Sequence, residues 1–598
     1  MKTPVIFAFM LLVAASSGAA ASSDDLWVLE SFADMDRVIP YHMFLPIDDA
    51  TIGFAQSKAD QISAAGSQVP FWSTGQVRSL FTESPLVNHC RTQVMDWMET
   101  NQLTDDCQDW GDSFFCHSTA EKIESSFGVT LGVYAQKGFR YVRATTDFEL
   151  GPVQECLELV EGFTHLPESG DHPFGSRRVR SVESTSGADP NYVGREVVDR
   201  LYNVTFDNVA KTVTSVGVVE FGGGGFSLNG VNRIQVDNGL ASTNVSCVYG
   251  SNPGGGVESE LDVQMVSMVA DHVSLCFVNY QQGLWAAHMF SHLAQWDQTP
   301  STISVSYGWA EWDQCAIISC TNVTASAYIN RANVEALKLV LRGVSVMVSS
   351  GDAGSPGRTN EGCSNTAHPI NPVYPGSSPY VTSVGATFVQ ASPAKKTNWT
   401  TEFCQKYGCA FGTTTQTVSQ PLVGWTSGSG FSVYTSEPRT SWQADLVAAY
   451  LDSNVSLPNG TNWNRNGRAY PDVTDNGHNC PVWGVYGSGY ADVDGTSCSS
   501  PLFAVKVALL DARQRSLGRR GLGFVNPTLY LLAQTESGVF SRPAVVTNSS
   551  CTEYSCCNAN HGYQGGPADL LWNPVSGLGQ INFGHAVSAL DRLASRHE

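Results

Sequence analysis

The sequence predicts an α/β protein in which a parallel-sheet domain follows a smaller α+β unit. Three observations carry that expectation. Short apolar runs at 213–221, 272–278, 302–307 and 344–349 alternate with stretches of helical periodicity, a pattern that favours buried parallel strands joined by helical crossovers. A segment of Gly, Ser, Pro, Glu and Arg over 167–188 has no hydrophobic period, so it reads as a linker. With 598 residues the chain is also longer than one ordinary core supports.

Taken in order, residues 1–21 combine Lys2, an apolar stretch over 5–15 and the small residues Ala19-Ala20-Ala21, the pattern of a secretory signal peptide. That stretch is shorter than the roughly 20 apolar residues of a membrane span. No later stretch is long and apolar enough to span a bilayer, and the polar Arg596-His597-Glu598 ending does not suit a lipid-anchor tail, so no membrane anchor is expected. Residues 22–166 mix helical and strand patterns without a catalytic constellation. In an exported enzyme such a unit suggests a propeptide, with an independent binding domain as the alternative. Arg177-Arg178-Val179-Arg180, inside the linker, is a candidate processing site. Residues 189–598 form the second, larger unit. Within them the helical stretch 327–342 leads directly into the 344–349 run.

Hydrophobic residues make up 42% of the chain and charged residues 15%, which fits a packed globular protein and not a disordered one. A net charge of -21 without any long Lys/Arg run argues against nucleic acid and anionic membrane as partners. Such acidity suits an acidic compartment of the secretory route, extracellular or lysosome-like, where partial protonation relieves self-repulsion. Sixteen cysteines in an exported chain point to disulfides. Cys90, Cys107, Cys116 and Cys156 precede the linker and the others follow it, so each part is expected to close its own bridges. Zinc fits less well, because no C-x2-C pair is matched by a second pair or by spaced histidines. Sequons at Asn203, Asn244, Asn322, Asn398, Asn454, Asn459 and Asn548 all fall after the linker and predict a glycosylated C-terminal part.

The sharpest local signal is Asp494-Gly495-Thr496-Ser497-Cys498-Ser499-Ser500-Pro501, followed by a helix-like apolar stretch over 502–510. A serine at a helix entrance has an exposed hydroxyl and a backbone N–H ready for an oxyanion, although a plain turn and N-cap has the same appearance. A nucleophilic serine needs a base. No histidine stands upstream in an H-G-T-H context. The chain offers instead Val257-Glu258-Ser259-Glu260-Leu261-Asp262, opening a helix whose Val257, Leu261, Met265, Met268 and Val269 form an apolar stripe. Glu258 and Asp262, four apart, share one helix face. Carboxylates so placed titrate as a pair and share a proton in mild acid, whereas a solvated acidic first turn is the plainer reading. The 344–349 run ends in Ser350-Gly351-Asp352, at the strand end where open α/β sheets gather functional groups; alone, such an Asp is most often a turn residue. Gly222-Gly223-Gly224-Gly225 lacks the Lys-Ser/Thr of a P-loop and the helix lead-in of a dinucleotide fingerprint, so it reads as a turn.

Together these segments resemble the sedolisin, or serine-carboxyl peptidase, family and its tripeptidyl-peptidase branch. The resemblance covers most of the chain after about residue 189. It includes Arg200-Leu201-Tyr202-Asn203-Val204-Thr205, Ser304-Val305-Ser306-Tyr307-Gly308, Tyr374-Pro375-Gly376-Ser377-Ser378-Pro379-Tyr380, Ser427-Gly428-Ser429-Gly430-Phe431-Ser432, Gly467-Arg468-Ala469-Tyr470-Pro471-Asp472-Val473 and Gly523-Phe524-Val525-Asn526-Pro527. It implies a subtilisin-like catalytic domain, a prodomain that inhibits until removed, and peptide or protein substrates cleaved at acidic pH. It also implies Ser497 as nucleophile, Glu258 as general base, Asp262 as the partner sharing its proton, and Asp352 in the oxyanion site. A carboxyl base works well near its own pKa, and a protonated Asp donates the hydrogen bond an oxyanion requires. An acid endopeptidase of the same family is the alternative activity, and a non-catalytic secreted glycoprotein the alternative from another class.

Two departures stand out. The resemblance implies a calcium site near the C-terminus, but Val545 takes the position of one carboxylate and the second element reads Asp569-Leu570-Leu571-Trp572-Asn573-Pro574. Asp569 and Asn573 are the remaining candidate ligands, and fewer anionic oxygens weaken binding of a hard cation. Asp494 stands where a Ser is common, placing an extra charge before Gly495-Thr496-Ser497.

Overall fold

The computed structural model describes residues 28–136, 139–146, 150–164, 178–180, 191–204, 214–221, 224–242, 245–269, 273–280, 283–314, 323–360, 362–390, 399–412, 414–435, 441–461, 463–543 and 548–595. The expected signal segment, most of the linker, Val545 and the sequons at Asn244, Asn322 and Asn398 lie outside them.

The predicted apolar runs form one eight-stranded sheet. Its strands are β1 Thr214–Phe221, β2 Cys247–Tyr249, β3 Val273–Tyr280, β4 Thr302–Val305, β5 Ser345–Ser349, β6 Thr382–Val389, β7 Thr415–Thr417 and β8 Val473–Asn476. Spatial order is β2-β3-β1-β4-β5-β6, with β7 and β8 both on β6. Every pairing is parallel apart from the antiparallel β6 and β7. The strands are apolar runs because both sheet faces are covered by helices, which leaves no wet face to alternate toward.

Four helices position the chemistry: α1 Val257–Val269, α2 Ala286–Gln295, α3 Ala325–Leu341 and α4 Thr496–Ser516. Two differ from expectation. Helix α1 is buried along nearly its whole length and not on a single stripe, because it is enclosed by the sheet and its neighbouring helices. Helix α4 starts before Ser497 and runs for 21 residues, its core passing under β1, β4, β5, β6 and β8. The 302–307 run ends as a strand at Val305, freeing Ser306 and Tyr307 to turn toward the carboxyl edge.

The N-terminal unit is α+β. A four-stranded antiparallel sheet includes Val38–Phe44, Ser113–Thr119 and Leu159–Glu161, and Asp49–Ser63 and Pro85–Thr100 are its longer helices. The disulfides Cys90–Cys156 and Cys107–Cys116 lie within this unit. Cys247–Cys276, Cys363–Cys557, Cys404–Cys409, Cys480–Cys498 and Cys551–Cys556 lie within the other. Among the described residues, then, each part closes its own bridges.

The two parts meet over buried charge. Asp112 accepts from Arg331 (2.7 Å) and Lys338 (2.6 Å) of α3, and Glu335 holds the same two cations. Glu161 accepts from the Trp285 and His288 amides at the start of α2 and from the Tyr328 hydroxyl. His42 Nδ1 lies 3.1 Å from His288 Nδ1. Inside the expected linker, Arg178–Arg180 forms a short strand paired antiparallel with Tyr490–Asp494, the strand that leads into α4.

Candidate active site

Ser497 is the second residue of α4. Its strand ends at Asp494, and Gly495 makes the turn with φ 155, a region that favours glycine. Pro501 lacks an N–H, so the Ser497 carbonyl receives no bond from the residue four further on. The Ser306 hydroxyl donates to it instead, at 3.3 Å.

Ser497 and Asp352 line one cleft with Ser306, Trp309, Arg358 and Thr496. Asp352 Oδ1 accepts from the Thr496 amide (2.8 Å) and the Thr496 hydroxyl (2.6 Å). These two donors bind the strand end after β5 to the first turn of α4. The Arg358 guanidinium stands 3.7 Å from the other Asp352 oxygen and 4.0 Å from Glu553. Among the described residues that line the cleft, none is histidine.

Glu258 and Asp262 sit one turn apart on α1, 9% and 0% exposed, while Ser497 is 2% and Asp352 7% exposed. Burial pushes the Asp262 carboxyl well above its usual range, and the nearby Glu258 and Glu220 charges push it further. The Ser306 hydroxyl acts in the opposite direction, so Ser306 faces both Asp262 and the Ser497 backbone. Glu220, at the carboxyl end of β1, was not singled out from sequence. Its carboxylate accepts from Tyr307 (2.6 Å) and Ser259 (2.9 Å), and burial raises its pKa to about 7. The available signal was a lone acid near the end of the otherwise apolar 213–221 run. Three carboxyl groups therefore lie together behind the cleft, from β1 and α1. Crowded, desolvated acids share protons, so one member can be ionised and accept a proton in acid while its neighbour stays protonated.

Asp494 does not add its charge to this group. Its Oδ2 meets His478 Nδ1 at 2.8 Å and its Oδ1 accepts from the Asn479 amide at 2.9 Å. The candidate calcium ligands do not converge: Asp569 is exposed, whereas the Asn573 amide oxygen accepts from the Val575 and Ser576 amides. Among the described residues no cluster of three His, Cys, Asp or Glu side chains is placed to hold a metal. These two residues do not fit the ion. Sequon residues Asn203, Asn454, Asn459 and Asn548 lie in the sheet domain among the described residues.

Comparison with known proteins agrees with this architecture. Residues 25–166 match the family model "Pro-kumamolisin, activation domain". Physarolisin of Physarum polycephalum is 29% identical over 460 residues, covering 76% of each chain. Tripeptidyl-peptidase 1 of Canis lupus familiaris is 30% identical over 453 residues, 73% of this chain and 70% of its own. In fold, the chain is similar to Pseudomonas sedolisin, a serine-carboxyl proteinase solved with two molecules of pseudo-iodotyrostatin. The TM-score is 0.50 at 20% identity, with 68% of this chain and 100% of that one covered. With an activation domain, a parallel sheet carrying its polar groups at the carboxyl edge, and relatives along most of its length, the chain belongs to the sedolisin family of serine-carboxyl peptidases, in the tripeptidyl-peptidase-like branch, and is a peptide hydrolase made with a prodomain.

Proposed function

We propose that the protein is an acid tripeptidyl peptidase in which Ser497, Glu258 and Asp262 form the triad and Asp352 serves the oxyanion. The carrying observation is the buried Glu220, Glu258 and Asp262 group behind a cleft that contains Ser497. In the first step the Ser497 hydroxyl attacks the scissile carbonyl carbon and its proton passes to Glu258. The carbonyl oxygen becomes the oxyanion, stabilised by the Ser497 backbone amide, with Asp352 serving the same site. The intermediate then collapses: the C–N bond breaks, Glu258 returns the proton to the leaving amine, and an acyl group remains on Ser497. Water repeats the cycle, giving its proton to Glu258 and its oxygen to the acyl carbon, and releases Ser497. Asp262 shares the proton with Glu258 throughout, so that neither carboxyl carries a full charge in a dry site.

The prodomain, residues 22–166, acts as intramolecular inhibitor and is removed by cleavage within the 167–188 segment. The substrates are peptides or proteins with free amino termini. The route is secretory, ending outside the cell or in an acidic organelle, and the sequons carry glycans. Two measurements test the activity. An active-site phosphonate is expected to label Ser497, and failure to do so rejects a catalytic serine there. A reporter with a free amino terminus three residues from the scissile bond is expected to be cleaved far faster than its N-acetylated twin; equal rates assign the enzyme to the endopeptidases instead.

A further inference from the structure

The segment 475–480, Asp-Asn-Gly-His-Asn-Cys, carries no part of the proposed triad. It leaves β8 and enters the strand Cys480–Trp483, and along the way it grips both sides of Ser497. Before the serine, Asp494 is held by His478 and by the Asn479 amide, and the Gly495 amide donates to the Gly477 carbonyl at 2.9 Å. After it, Cys498 is bonded to Cys480. Further along α4, Lys506 donates to Asp475, both fully buried. The Asn476 side chain fixes the segment itself by donating to the His478 carbonyl at 2.9 Å. Approach is so close that a Cβ on Gly477 would stand 2.6 Å from the Ala386 Cβ of β6 and 2.8 Å from the Gly495 carbonyl oxygen.

Such fastening has a local reason. Gly495 supplies no side-chain cap to α4, and a glycine turn lacks the steric restriction that fixes other residues. The turn that aims Ser497 is therefore intrinsically loose, and on the cleft side it is tied through Thr496 to Asp352 and through the Ser497 carbonyl to Ser306. The opposite side is supplied by 475–480.

We propose that segment 475–480 is a positioning device for Ser497, and that Asp494 and His478 are positioning residues of the peptidase reaction. This rests on Ser497 being the nucleophile. Neither side chain touches the reacting atoms; both fix the turn from behind. Misplacing a nucleophile without altering the substrate pocket slows the chemical step and spares binding.

The test uses the full chain after processing, with Asp494→Ala, Asp494→Asn, His478→Ala and Gly477→Ala beside the wild type. The readouts are the rate of phosphonate labelling at Ser497, kcat and KM on a free-amino tripeptide reporter, and the melting temperature. Asp494→Ala is expected to slow labelling and kcat together by about 10- to 100-fold, with KM within about twofold and the melting temperature within about 4 °C. Asp494→Asn keeps an acceptor for the Asn479 amide and a partner for His478, and is expected to recover most of the loss. Should Asp494→Ala fail to fold, His478→Ala, which removes the other half of the same contact, is expected to give the same split, while Gly477→Ala presses on both Ala386 and Gly495. Labelling at the wild-type rate in a folded Asp494→Ala, His478→Ala or Gly477→Ala protein overturns the proposal, as does a rise in KM without loss of kcat. Wild-type protein that takes no label at Ser497 overturns the nucleophile assignment and this proposal with it, whereas a labelled wild type with unaffected variants overturns the proposal alone.

Discussion

Two buried charge clusters in this molecule follow opposite rules. Where the N-terminal unit meets α3, Asp112, Glu158 and Glu335 face Arg331 and Lys338, so anion meets cation. Behind the cleft, Glu220, Glu258 and Asp262 face one another, with the hydroxyls of Ser259, Ser306 and Tyr307 among them. Opposite charges offset each other's desolvation only when both are present, which makes the first cluster a lock between parts. Like charges raise one another's proton affinity, which makes the second a proton store. The same burial thus yields docking in one place and acid–base chemistry in the other, depending on the sign of the neighbours.

Breaking the lock has the largest effect on stability. Asp112→Ala leaves Lys338 and Arg331 with an anion too few, and the unprocessed chain should lose about 3 kcal/mol in chemical denaturation. The processed enzyme lacks Asp112 and should unfold as the wild type does. A precursor as stable as wild type would show the cluster contributes nothing to docking.

The clusters also respond to pH with opposite signs. At the join, His42 and His288 are held well below 6.5 by burial, and His292 is lowered to about 4 by the same cause. A depressed histidine favours docking above its ordinary value, and that contribution is lost as pH falls from 6.5 through about 4. Glu161 opposes them: burial raises it to about 7, so its contribution grows as pH falls from about 7 toward 4.5. The histidine effect is read as a difference in the Ser497→Ala precursor, which keeps its prodomain: the melting temperature of His42→Gln relative to that parent should rise between pH 6.5 and pH 4.5, because the variant lacks the imidazole that burial keeps neutral. A difference that stays constant with pH assigns the pH response elsewhere.

A smaller effect comes from the second cluster. Glu220, raised to about 7, costs stability when ionised, and this cost appears as pH rises from 4.5 through 7. Glu220→Gln retains an acceptor for Tyr307 and Ser259 while removing the charge. Its melting temperature relative to wild type should therefore rise between pH 4.5 and pH 7.5, and a constant difference would contradict the raised value.

Much of this was legible in the sequence for a physical reason. Buried parallel strands must be continuous apolar runs, so β1, β3, β4 and β5 fell within a residue or two of their expected limits, except where β4 ends early at Val305. The i to i+4 spacing placed Glu258 and Asp262 on one helix face, as found in α1. What escaped was tertiary. Glu220 becomes informative only when β1 is laid beside Tyr307 and Ser259, 87 and 39 residues away in sequence. His478, likewise, carries no signal until the antiparallel pairing of Cys480–Trp483 with Tyr490–Asp494 sets it against Asp494. The extra Asp494 charge is engaged there by His478 and the Asn479 amide.

The central claim is that a carboxylate, not a histidine, takes the Ser497 proton. The most direct measurement is the pH–rate profile of processed Glu258→Gln beside wild type, with the circular dichroism of both recorded. Wild type should be most active on the acidic side and decline toward neutrality, and folded Glu258→Gln should lose turnover by at least about 10³-fold at every pH. Folded Glu258→Gln with near-normal activity at the wild-type optimum would place the base elsewhere and contradict the account.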